Sequence, residues 1–177
     1  MRRGLAAAAC ALAFWAAPAP GLPWASEPPL EDMPALLHEL APAAKRLVIL
    51  WDPAAPTGER AFHRVWDAAR GQGLMPLGVA LGGPEEVGAA LERALGARVA
   101  LLVILSERLG PEGLARVAAF ATAHALPAVS VQREFAVAGG LLSIGINGAV
   151  VVNLKTARAL GLAVPPALLQ RAAEVLP

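Results

Sequence analysis

The sequence has one cysteine, Cys10, so it can form no intrachain disulfide and no cysteine-based zinc site. Charge is scarce too: 16% of the 177 residues are charged, with a formal net charge of +1. No strong field therefore points to nucleic acid or to an acidic lipid surface. A chain that is 56% hydrophobic is not a disordered one. Mean hydropathy is high at +0.55. Even so, the longest strongly apolar runs, Leu5–Ala17 and Val99–Leu105, fall short of the roughly 18 residues a spanning helix needs. Catalytic signatures are also absent: no Gly-x-Ser-x-Gly elbow, no Walker phosphate loop, and no Gly-x-Gly-x-x-Gly after the first strand. No enzyme activity and no cofactor are expected. The length suits one α/β domain.

The first 25 residues have the order of a secretion signal. Arg2 and Arg3 precede the apolar stretch, and Pro18 and Pro20 break it before Trp24-Ala25-Ser26. Cleavage after Ala25 would remove Cys10 with the signal and leave 13 basic against 14 acidic residues, a net charge of −1. The alternatives are an N-terminal anchor helix that stays attached and a lipidated Cys10. The expected compartment is periplasmic or extracellular. Residues 26–44 then form a lead-in and a short helix over Pro34–Ala44, and residues 45–177 form an α/β lobe.

From Lys45 onward short aliphatic runs alternate with helical patterns. Strands are predicted at Leu47–Trp51, Met75–Leu81, Val99–Leu105, Ala128–Val131, Leu141–Ile146 and Ala149–Leu154. Thr57 is placed to cap a helix with Phe62, Val65, Trp66 and Ala69 inward. Pro84 opens another helix, Gly110-Pro111 a third, and Thr156–Leu160 is a short one. Leu168, Leu169, Ala172 and Val175 fall at helical spacing and predict a C-terminal helix. Alternating β and α units imply right-handed crossovers and a mostly parallel sheet covered on both faces. The expected architecture is a single flavodoxin-like three-layer α/β domain.

In an open parallel sheet, ligands bind beyond the carboxyl ends of the strands. That face carries the loops Asp52–Thr57, Gly82–Pro84, Ser106–Gly110, Gln132–Gly140 and Asn147–Gly148. Five residues there are candidate ligand contacts: Trp51, Asp52, Ser106, Arg133 and Glu134. Trp51 either walls a ligand or packs beneath its loop. Asp52 either accepts from a ligand amine or forms an Asx turn over Pro53. Arg133 has the fork for a carboxylate and Glu134 the charge for an ammonium, or the two form an internal ion pair. Asp52 after the first strand is similar to the phosphoacceptor of a receiver, but no acidic pair precedes it. His38, His63 and His124 lie on three different predicted helices. Glu59, His63 and Asp67 share one helix face, but without further ligands they build no metal site.

Several strings resemble one family. Leu37-His38-Glu39-Leu40-Ala41-Pro42 with Leu47–Pro53 is similar to the entry to the second lobe of ABC-transporter substrate-binding proteins of the tryptophan- and tyrosine-binding type. The likeness continues at Leu126-Pro127-Ala128, at Arg133–Ser143, at Val152–Leu162 and at Pro165–Leu169. The resemblance implies a type I periplasmic-binding-protein fold, capture of an amino acid or small organic solute, and docking on an ABC permease. It also implies a truncated second lobe only, because nothing here resembles the first lobe, and Gly148-Ala149 leads straight into Val150. From that follow two expectations: weak ligand binding, and self-association through an uncovered face holding Trp51, Pro53, Leu109 and Phe135. A stand-alone interaction or sensory domain using that uncovered lobe face is the alternative.

Overall fold

The computed structural model describes residues 29–145 and 148–177. The proposed signal segment and Ile146-Asn147 lie outside those residues. Helix α1 (Asp32–Leu40) precedes β1 (Arg46–Trp51), α2 (Gly58–Gly71) and β2 (Met75–Ala80). A 3₁₀ turn at Pro84–Glu86 leads into α3 (Val87–Gly96), then β3 (Leu101–Ile104), α4 (Gly110–Ala123) and β4 (Ala128–Ser130). Next come α5 (Arg133–Val137), β5 (Leu142–Ile144), β6 (Val150–Asn153), α6 (Leu154–Ala159), α7 (Pro166–Arg171) and β7 (Ala172–Leu176).

The seven strands form one sheet in the order β2-β1-β3-β4-β5-β6-β7. The first five run parallel in the doubly wound order 2-1-3-4-5. Strand β6 turns back antiparallel to β5, and β7 lies parallel to β6. Strands β1 and β3 are apolar at successive positions because both faces are covered. Alternate residues feed two cores. Leu47, Ile49, Leu101 and Val103 pack toward Met33, Leu37 and Val65 of α1 and α2. Val48, Leu50, Leu102 and Ile104 pack toward Ala90 and Leu91 of α3 and Val117 of α4. The three-layer α/β class predicted from the sequence is the class observed.

Four local expectations are corrected. Thr57 does occupy the position before α2, but its hydroxyl makes no capping bond. The Gln132–Gly140 segment is not all loop, since α5 forms within it and buries Phe135 and Ala136. The first helix begins earlier and ends sooner than Pro34–Ala44. The helical spacing of Leu168–Val175 is broken at Ala172: α7 is six residues long, and the chain then extends as β7. Pairing with β6 and an ion pair from Glu174 to Arg133 hold this last segment extended, and neither is visible in its own periodicity.

Candidate functional site

A cleft of about 560 Å³ opens at the carboxyl ends of β1, β3 and β4. The order 2-1-3 makes the gap between β1 and β3 the topological switch point, where the connections after adjacent strands depart in opposite directions. Asp52–Gly58, after β1, forms one wall; Leu105, Glu107 and Arg108, after β3, form another. Val131 adds an apolar patch beyond β4, and Arg60, Ala61 and Arg64 of α2 close the side. Leu30, from the lead-in, is buried and also lines the cleft. Its neighbour Glu31 is gripped by Arg64 through three hydrogen bonds of 2.8–3.0 Å, which tie the lead-in to α2.

Asp52 sits at the base of this cleft with 2% of its surface exposed. Its Oδ1 accepts the Ala54 N–H at 2.9 Å, which is the Asx turn that the sequence left open. Its Oδ2 accepts the Arg108 Nε–H at 2.5 Å. Burial opposes the ionised carboxylate. The Arg108 and Ala54 hydrogen bonds and the Arg108 charge outweigh that and hold the pKa below its ordinary value of 3.8. A carboxylate pKa depressed in the folded state adds stability that is present above the unfolded value and lost as pH falls through the folded one. Asp52→Asn is therefore expected to destabilise the protein by a constant amount from pH 5 to 7, with the gap closing below about pH 3.8. Urea unfolding of both proteins at several pH values checks this; a gap unchanged at pH 2.5 would contradict it.

Of the other sequence candidates, Ser106 adjoins the cleft but is fully buried. Its carbonyl accepts from Gln132 Nε2 at 2.9 Å, and its hydroxyl has no partner among the described residues. Trp51 is not among the residues lining the cleft. Its ring stacks on Phe62 at 4.6 Å between centroids and packs against the core. Arg133 and Glu134 stand apart from it at the start of α5. The ion pair read as internal to Arg133-Glu134 is instead made between Arg133 and Glu174 of β7, through Nε at 2.8 Å and Nη2 at 2.6 Å. That fork holds the Glu174 carboxyl below its usual range. Of the apolar face expected to drive self-association, Leu109 and Phe135 are buried, Trp51 is half-buried and Pro53 is exposed. Sequence reasoning missed Arg108 and Leu30, the first because its partner is 56 positions away.

Asn153 and Thr156, within a string that resembled the family, join α5 to α6. Asn153 donates to the Ala136 carbonyl at 2.9 Å and accepts from the Thr156 N–H at 3.0 Å. The Thr156 hydroxyl donates to the Gly139 carbonyl at 2.8 Å. Among the described residues no cluster of His, Cys, Asp and Glu can hold a metal, and no helix is long and apolar enough to cross a membrane.

The fold is similar to part of a solved substrate-binding protein. An ABC domain from Streptococcus pneumonia in complex with L-Trp superposes with a TM-score of 0.74 at 17% identity, over 84% of this chain and 60% of that one. A conserved domain protein from Vibrio cholerae gives 0.74 at 15%, over 85% and 61%. A ligand-free, open substrate-binding protein with adhesive properties from Clostridium difficile gives 0.67 at 17%, over 80% and 58%. The likeness at these identities is one of fold, and the chain spans about three fifths of the length of those proteins. No protein-family model matches the sequence, nor does any curated protein.

Proposed function

We propose that the protein is an exported solute-binding domain serving an ABC importer, and that it holds an amino acid or small organic solute in the cleft between β1 and β3. The observation that carries this reading is the position of the cleft: it lies at the switch point of a sheet whose fold is shared with substrate-binding proteins. Its volume suits a small molecule, and its walls combine apolar side chains with a few charged groups. Among the described residues lining the cleft no nucleophile is paired with a base, and the proposed mechanism is capture and release, coupled to docking on a permease.

A thermal-shift screen of the full chain against the twenty amino acids and small organic acids tests the reading. At ligand concentrations about 100 times Kd, binding adds roughly 2.7 kcal/mol, enough to raise the midpoint by several degrees. No rise with any compound would contradict it. Export rests on the Arg2-Arg3, Leu5–Ala17 and Ala25 order; an intact mass that retains these residues after secretion would contradict cleavage.

A second reading, a stand-alone interaction or sensory domain, draws on a different surface. Ala118, Ala119, Val137, Ala138 and Ala159 line a shallow groove at the opposite end of the sheet, with Val137 56% exposed. Sedimentation of the protein against a Val137→Asp variant separates the two readings. Association abolished by the substitution favours the second.

A further inference from the structure

The geometry points to Arg108 as the anion-binding group of the cleft, with Asp52 as the residue that orients it and a monocarboxylate with an apolar body as the solute class. This rests on the reading of the cleft as a solute site, and it assigns the carboxylate contact to Arg108 rather than to Arg133.

Arg60, Arg64 and Arg108 line the cleft, and Arg133 lies outside it. Arg133 spends its fork on Glu174, and Arg64 spends its own on Glu31. Arg108 lines the cleft with 57% of its side chain exposed and commits only Nε to the protein. A guanidinium has five N–H donors in one plane. With Nε fixed, the four terminal N–H groups remain, and among the described residues neither terminal nitrogen has a hydrogen-bond partner. The fixing group is itself rigid, because Asp52 is buried and its other oxygen is held by the Ala54 N–H. A planar fork with its orientation set from behind suits a planar carboxylate better than a mobile ammonium does.

The remaining walls define the rest of the solute. Leu30, Leu105 and Val131 offer an apolar surface for its body. Glu107 lies on the same wall as Arg108 and opposes a second negative charge, which disfavours a dicarboxylate.

Calorimetry on the full chain tests the assignment. The probes are L-leucine, L-phenylalanine and L-tryptophan, their deaminated acids, their amides, and succinate. The acids with an apolar body are expected to bind at least about tenfold more tightly than the matching amides and succinate. Arg108→Gln is expected to remove that preference, and Arg108→Lys to restore part of it. Arg108→Gln leaves Asp52 buried and unpaired, so the double variant Arg108→Gln, Asp52→Asn serves where the single one unfolds. Asp52→Asn alone keeps the Arg108 charge and loosens its orientation, so it should lower the acid-over-amide ratio, which a purely structural role would leave unchanged. Equal binding of acids and amides, or an unchanged preference in Arg108→Gln, overturns this assignment and leaves the solute-binding reading standing. Failure of every probe to bind the wild type overturns both.

Discussion

Gly58→Ala is expected to lower stability by about 3 kcal/mol or more, a fall in melting temperature of roughly 10 °C. Gly58 opens α2 and is buried at the point where the Asp52–Thr57 loop folds back on itself. The Asp52 carbonyl accepts from the Ala55 N–H at 3.3 Å, and the Ala55 carbonyl from the Gly58 N–H at 2.9 Å. This chain of turns presses the start of the helix onto the Asp52 carbonyl oxygen. A Cβ at position 58 would meet that oxygen well inside 3.0 Å, and a backbone atom cannot swing aside as a side-chain end can. The φ at Gly58 lies outside the left-handed region, so the cost is steric rather than torsional. Gly71, at the other end of the same helix, is the control. A Cβ there meets nothing within 4 Å, and Gly71→Ala should be neutral or stabilising by about 0.4–1 kcal/mol. Equal effects at the two positions would contradict the packing described at the β1–α2 turn. Because Gly58 seats the loop that carries Asp52, its substitution should also disorganise the cleft.

Gly140→Ala should cost about 3–5 kcal/mol for a different reason, the range found on truncating a buried aromatic ring. The Phe135 ring is fully buried and lies across Gly140, whose N–H donates to the Phe135 carbonyl at 2.8 Å. An added Cβ would overlap three atoms of that ring. The protein would have to expel the ring or unseat α5, and with α5 would go the tie from Asn153 to Ala136. The cost should depend on the ring. In a double-mutant cycle with Phe135→Ala, the pair should be no less stable than Phe135→Ala alone, a coupling of at least about 3 kcal/mol. Additive losses from unfolding curves would show that the ring is not what Gly140 accommodates.

The part of this fold legible in the sequence is the part set by local burial. Leu47–Trp51 and Leu101–Ile104 read as strands because both sheet faces are covered and every position is apolar. The 3.6-residue spacing of Val65 and Ala69 gave α2 its buried face. The last six residues were not legible. Leu168, Leu169, Ala172 and Val175 fit a helical stripe as well as any true helix here, but pairing across to β6 and the Arg133–Glu174 bridge decide otherwise. The candidate site divides along the same line. Asp52 was identified because a polar residue at the carboxyl end of a parallel strand stands out. Its partner Arg108 was not, because an arginine in a loop carries no mark of a carboxylate 56 positions away. Adjacency misled in the same way at Arg133-Glu134, where the next residue is the obvious counter-charge and Glu174, 41 positions on, is the actual one.

The claim that the β1–β3 cleft is a solute site is tested most directly by mapping backbone amide chemical shifts while a ligand found by the thermal screen is titrated in. Saturable shifts are expected at Ala54–Gly58 and Leu105–Arg108, with Val137–Gly139 in the distal groove unmoved. Shifts confined to Val137–Gly139, or spread without saturation, would contradict it.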